Sequence, residues 1–118
     1  MFHLNDCLEG MKELDDKSID LVVTSPPYNL DIQYSKYKDK KPREQYLGWL
    51  RDVFLECKRI LTDDGHLFVN MGYSNVDPWV AMDVAMTLRD DWILQNHINW
   101  VKSIHVNGKT SGHFKPIN

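Results

Sequence analysis

Asp20-Leu-Val-Val-Thr-Ser-Pro-Pro-Tyr-Asn29 joins an apolar run to a stiff polar turn, and the reading of the fold follows from where that run stops. Leu21, Val22 and Val23 have the short, largely β-branched character of a strand buried on both faces. Pro26 and Pro27 carry no N–H for a ladder, so the strand ends near Thr24. Each proline fixes its own φ at about −65° and restricts the residue before it. Ser25 and Tyr28 are therefore held on an extended arch at the strand's C-terminal edge, which in open α/β sheets is where ligands bind.

Working outward, apolar strands alternate with helical patterns. Phe2-His3-Leu4 is a short strand candidate, and Asp6 caps a helix that begins near Cys7 and sets Leu8, Met11 and Leu14 on one face. A turn at Asp15-Asp16-Lys17-Ser18 leads into the strand Ile19 to Thr24. From Ser25 to Arg43 the chain is a long polar loop carrying Tyr34, Tyr37, Lys36, Lys38, Lys40, Lys41 and Arg43, and loops of that length are usually functional or disordered. Leu47, Leu50, Val53, Phe54, Cys57, Ile60 and Leu61 recur at helical spacing, predicting an amphipathic helix from about Glu44 to Leu61. Thr62-Asp63-Asp64-Gly65 reads as a turn with a positive φ at the glycine, followed by a strand over His66 to Met71. Asp77-Pro78 opens a helix to about Arg89, and Trp92 to Trp100 is a fourth strand candidate. Trp79, Trp92 and Trp100 are assigned to the core. The sum is one α/β domain, a partial doubly wound, mostly parallel sheet.

Composition limits the functional classes. The chain has 118 residues, 42% of them hydrophobic, and a net charge of −3. No apolar run is long enough to span a membrane, and no signal peptide is evident, so a cytoplasmic protein is expected. Cys7 and Cys57 are too few and too far apart for a disulfide framework or a zinc site. The overall charge gives no case for nucleic acid, so that case rests on local clusters.

The chemistry of the arch is more specific. An amino group on an aromatic base is a weak nucleophile because its lone pair is delocalised into the ring. Oxygen acceptors on its protons favour a pyramidal, reactive nitrogen. The Ser25 hydroxyl and the Pro26 carbonyl can supply two such acceptors from one rigid corner, and Tyr28 offers a ring on which an extruded base can stack. Pro26 and Pro27 keep acceptor and ring in register.

Thr24-Ser25-Pro26-Pro27-Tyr28 resembles the catalytic motif of the DNA amino-methyltransferases. Leu4-Asn5-Asp6-Cys7-Leu8, Ile60-Leu61-Thr62-Asp63-Asp64-Gly65-His66-Leu67-Phe68-Val69, Trp100-Val101-Lys102 and Gly112-His113-Phe114-Lys115-Pro116-Ile117 are similar to the permuted β-class of that family. The resemblance implies a Rossmann-like fold dependent on S-adenosylmethionine, methyl transfer to an exocyclic amino group, and double-stranded DNA with a flipped base as partner. Serine at the head of the motif is the form typical of cytosine-N4 enzymes, and aspartate or asparagine that of adenine-N6 enzymes. Carried over, Ser25, Pro26, Pro27 and Tyr28 are catalytic, and Asp6 and Thr24 lie on the cofactor side, Asp6 at its adenine end. A helix N-cap is an equally good account of Asp6. Tyr34, Lys36, Lys38, Lys40, Lys41, Arg43, Lys102 and Lys115 are the candidate DNA contacts, against the plainer account of a solvated charged loop. His105 and His113 are weaker candidates of the same kind, and Asn70 and Asn99 have no role in this reading.

The chain lacks the Phe-x-Gly-x-Gly loop that holds the cofactor's methionine part in the family. Residues 1–118 are thus expected to be an amino-terminal catalytic portion or one part of a split enzyme, needing a complementary polypeptide or self-association through an open apolar face. Carbon-5 cytosine methylation is discarded because Cys7 and Cys57 follow Asp6 and Glu56 rather than a proline. Glutamine methylation uses a similar arch headed by asparagine, which Ser25 argues against. A non-catalytic DNA-binding module that keeps the fold is the rival from another class.

Overall fold

The computed structural model describes residues 1–101 and the backbone of 104–106 and 109–111. Strand β1 (Ile19–Thr24) lies parallel to β2 (Leu61–Val69), with Val22 opposite Leu67, Val23 opposite Phe68 and Thr24 opposite Val69. In sequence the two are joined through α2 (Arg43–Ile60), whose apolar stripe buries Tyr46, Leu50, Phe54, Cys57 and Ile60. That stripe packs with Val22, Leu67 and Val69 from the sheet, and with Val80 and Val84 of α3 (Val80–Thr87), into one core. Burying such side chains stabilises the fold by about 1.5–3 kcal/mol each, before entropy is counted. Helix α1 (Cys7–Met11) is short, and Asp6 caps it as expected by accepting from Leu8 N and Glu9 N. Arg59 ties α1 to α2: its guanidinium donates to the Met11 and Leu14 carbonyls and pairs with Asp16 and Glu56.

Several expectations are corrected. Residues 2–4 form no strand, and Phe2 and Leu4 are fully exposed; 92–100 form no strand either, and residues 93–100 are exposed. Apolar patterning supplies a strand's side chains but does not by itself supply a ladder to join. Trp79 and Trp100 lie at the surface rather than in the core, whereas Trp92 packs against it. Strand β1 is covered on one face only, since Leu21 and Val23 stay exposed beside Phe68 of β2. The parallel sheet has two strands among the described residues, with a separate antiparallel pair, β3 (Ile104–Val106) and β4 (Lys109–Ser111).

The turn expected at 62–65 is instead a bulge inside β2. Ile19 pairs with Leu61 and Leu21 with His66, so five steps along β2 answer two along β1. Gly65 is there for space rather than for a positive φ: a Cβ would sit 2.9 Å from both Leu61 Cδ2 and the Thr62 carbonyl oxygen. Likewise α3 starts at Val80, because Asp77 is engaged elsewhere, pairing with Arg43.

Candidate active site

The parallel pairing of β1 and β2 brings their C-terminal ends together, so the arch Ser25–Tyr28 sits beside Asn70. Asn70 N donates to the Thr24 carbonyl at 2.8 Å, continuing the ladder one step beyond the strands. Its side-chain amide then donates to the Tyr28 hydroxyl at 2.9 Å and to Ser25 Oγ at 3.3 Å, while those two oxygens lie 2.8 Å apart. Three polar side chains thus close a triangle at the sheet edge. Ser25 is exposed and Tyr28 half-buried.

Two further contacts brace the arch. Tyr46, buried in the first turns of α2, donates its hydroxyl to the Pro27 carbonyl. Burial, the largest cause, pushes the Tyr46 phenol above its ordinary range, so it stays a donor. From the other side Gly72 meets the Tyr28 ring so closely that a Cβ there would lie 2.7 Å from Cε2. Hydrogen bonds from the described residues thus occupy the Thr24 and Pro27 carbonyls, and none reaches the Pro26 carbonyl.

The following loop is built on Asp39, which is buried although charged. Its carboxylate accepts from Asn29 N at 3.0 Å, Leu30 N at 3.1 Å and Ile32 N at 2.9 Å, and its carbonyl accepts from Asp31 N at 2.7 Å. Converging N–H groups make an anion-holding concavity, here filled by the chain's own carboxylate. Asn29 and Asp31 adopt φ of 60° and 63°, the left-handed region that Asn and Asp tolerate best among residues with a side chain. Asn29 also clamps Lys41, accepting from its N–H at 2.7 Å and donating to its carbonyl at 2.9 Å. A bridge between Gln33 and Lys38 folds the intervening residues into a hairpin tip.

This architecture sorts the basic residues. Lys41 Nζ lies 4.6 Å from the centroids of both Tyr37 and Trp49, so its charge is spent inside an aromatic stack. Arg43 belongs to α2, not the loop, and holds Asp77 and Asp83. Lys40 faces Asp31 at 3.5 Å. Lys36 and Lys38 are exposed and have no partner among the described residues, and Tyr34 is exposed beside them. Lys102, Lys115 and His113 lie outside the described residues, as does the side chain of His105.

Both bonds that Asp6, the expected adenine contact, makes to the α1 cap use Oδ1, and Oδ2 accepts nothing from the described residues. An exposed carboxylate with one uncommitted oxygen fits the amino end of a purine, so capping and ligand contact are compatible. Asp6 shares no hydrogen bond with the Ser25 corner, and Thr24 meets it only through its own carbonyl. Burial raises the Cys57 thiol to about 11 and, with Asp6 nearby as a second cause, raises Cys7 as well; neither is primed as a nucleophile. No helix of the described residues is long and apolar enough to cross a membrane.

Sequence reasoning missed Asn70, Tyr46, Gly72 and Asp39. Only Asn70 left a trace, as a polar residue at the end of an apolar strand, and its meaning depended on knowing that β2 lies beside β1.

Comparison with known proteins gives one consistent picture. A family model for N6/N4-type enzymes, described as DNA methylase, matches residues 19–118. Over 98% of its length the chain is 32% identical to the Type II methyltransferase M.BglII of Bacillus subtilis, covering 34% of that protein. It is 42% identical over 75% of its length to the Type II methyltransferase M.MjaVI of Methanocaldococcus jannaschii, covering 47% of it. With the Type II methyltransferase M.HpaI of Haemophilus parainfluenzae, identity is 34% over 92% of the chain and 33% of the relative. The chain spans about a third to a half of the length of these relatives.

Proposed function

The chain belongs to the DNA methylase family of the N6/N4 type, and from that premise we propose that it is the base-gripping part of an enzyme that methylates an exocyclic amino group of a flipped DNA base, cytosine N4 in the first instance. S-adenosylmethionine, the family's methyl donor, supplies an electrophilic methyl group on a sulfonium. Asp6 holds the adenine end of that cofactor through its free oxygen. The parallel pair of strands is, on this reading, the catalytic edge of a doubly wound sheet in a permuted methyltransferase acting in the cytoplasm.

The observation that carries the proposal is the open Pro26 carbonyl beside Ser25 Oγ, on an arch held at one end by Asn70 N on the Thr24 carbonyl and at the other by Tyr46 on the Pro27 carbonyl. Two acceptors are what a planar NH2 requires. Ser25 Oγ has two lone pairs, one facing the Asn70 amide; the second is free only while the Ser25 hydrogen points to the Tyr28 hydroxyl. In that arrangement Ser25 and Pro26 each accept one amino hydrogen, draw electron density back onto the nitrogen and aim its lone pair at the methyl carbon. Tyr28 stacks on the extruded base, a contact worth about 1–3 kcal/mol on comparable platforms. Lys36 and Lys38, with Tyr34, meet phosphates from the hairpin tip, positioning the duplex without reading its sequence.

The deciding experiment incubates the longest available form of the protein with unmodified mixed-sequence DNA and labelled S-adenosylmethionine, then identifies the modified nucleoside. N4-methylcytosine is expected. N6-methyladenine would move the assignment to the other amino group, and label found only at cytosine carbon 5 or only on protein would end it. Ser25→Ala should keep cofactor binding by calorimetry and lose methyl transfer.

A further inference from the structure

We propose that Asn70 is a positioning residue for the base-gripping corner: its side-chain amide fixes Ser25 Oγ and the Tyr28 hydroxyl relative to each other, and so sets where the amino group is received. The proposal rests on the methyltransferase reading above but is carried by different observations. Asn70 is exposed, so packing does not explain its side chain. Its backbone is pinned to the Thr24 carbonyl at 2.8 Å, which places the amide one residue beyond the strand and level with the arch. The amide nitrogen reaches both oxygens from there, at 2.9 Å to the Tyr28 hydroxyl and 3.3 Å to Ser25 Oγ.

Prolines stiffen the backbone of the arch but leave two side-chain torsions uncontrolled, χ1 of Ser25 and the tilt of the Tyr28 ring. A serine hydroxyl on an exposed turn samples three staggered positions, of which one faces the amide and the Tyr28 oxygen. Asn70 selects that position. It also bridges acceptor and stacking platform, so a base seated on the ring finds the Ser25 oxygen at a fixed distance from its amino group. Aspartate, of the same shape, has no hydrogen to give and would instead draw the Ser25 and Tyr28 hydroxyl hydrogens onto its own carboxylate, undoing the arrangement in which Ser25 donates to Tyr28; alanine offers nothing.

The test has two arms on the full chain. In the first, the Asn70 side-chain amide resonances are followed in 15N-labelled protein carrying Tyr28→Phe or Ser25→Ala. Both substitutions should shift the Asn70 amide protons upfield, Tyr28→Phe more, since the shorter bond is lost. In the second, Asn70→Ala and Asn70→Asp should lower kcat for methyl transfer about tenfold or more, the scale expected when an acceptor is mislaid by a fraction of an ångström, with KM for DNA unchanged. In the Tyr28→Phe background the Asn70→Ala loss should shrink, because the two residues act as one unit. Amide protons unmoved by either substitution would overturn the proposal. So would an active wild-type chain whose Asn70→Ala variant keeps its kcat, or loses rate equally with and without the Tyr28 hydroxyl. If the longest available form of the protein methylates no DNA, that counts against the functional reading, and the resonance shifts still decide whether Asn70 holds the corner.

Discussion

Gly72→Ala is the sharpest probe of how the fold aims Tyr28. The added Cβ would lie 2.7 Å from Tyr28 Cε2, 3.0 Å from Cδ2 and 3.5 Å from Cζ. Gly72 does not hold a positive φ, so alanine brings no backbone strain of its own. Ordinary contact begins near 3.4 Å, which leaves the ring to retreat by about 0.7 Å. It cannot take the backbone with it, because Pro26 and Pro27 stiffen the arch and Tyr46 clamps the Pro27 carbonyl. The ring must swing, carrying its hydroxyl away from partners now at 2.8 and 2.9 Å toward the limit at which a hydrogen bond persists. Overpacking of this kind costs about 1–3 kcal/mol, offset by about 0.4–1 kcal/mol because alanine restricts the unfolded chain. The expected outcome is a modest fall in stability, about 1 kcal/mol by those figures, and a fall in kcat of about 10- to 100-fold, the range associated with displacements near 1 Å. Thermal melting and single-turnover methyl transfer measure the two. Unchanged kcat together with an unmoved Tyr28 ring in a crystal structure of the variant would refute this account, and in a Tyr28→Ala background the stability penalty should vanish.

Asp39→Ala should open the loop, because three backbone N–H groups lose their acceptor at about 1–3 kcal/mol for each left buried. Amide exchange at Asn29, Leu30 and Ile32 should accelerate, and protection equal to wild type would count against the carboxylate as organiser. Arg43→Met should strand Asp77 and Asp83 in a half-buried setting and lower stability by about 1–2 kcal/mol, or roughly 5 °C in Tm for a domain this size, and an unchanged melt would show the pairs contribute nothing. Burial lifts the Cys57 thiol from an ordinary 9.0 to about 11. A raised acid is fully stabilising below its unfolded value and loses that contribution as pH climbs through the folded one. Up to about 2–3 kcal/mol should therefore disappear between roughly pH 9 and 11. Urea titrations should show that alkaline decline flattened in Cys57→Ala; equal slopes would exclude Cys57 as its source.

The strand that ends at Thr24, the helix beginning near Arg43 and the Asp6 cap were legible because each is signalled locally: an apolar run halted by prolines, an i, i+3, i+4 stripe, a carboxylate one step before a helix. The arch chemistry was legible for the same reason, since Ser25 to Tyr28 are contiguous. Phe2-His3-Leu4 and Trp92 to Trp100 misled because apolar patterning announces a willingness to pair and says nothing of whether a partner is at hand. Trp79 and Trp100 misled because size and hydrophobicity suit a core only where a second layer covers them.

Local sequence thus fixed the chemical vocabulary of the corner, a hydroxyl, a carbonyl without a competing N–H and an aromatic ring held on a stiff turn. It left open who holds them. Asn70, Gly72 and Tyr46 lie between 19 and 46 residues away from the groups they touch, and they arrive through the parallel register of β1 with β2 and the packing of α2. The roles of the lysines were open for the same reason: whether a charge is free for phosphate or spent on Tyr37 and Trp49 depends on which rings and carboxylates the folded chain sets beside it. Distance along the chain carries no signal of closeness in space, so these assignments had to wait for the packing.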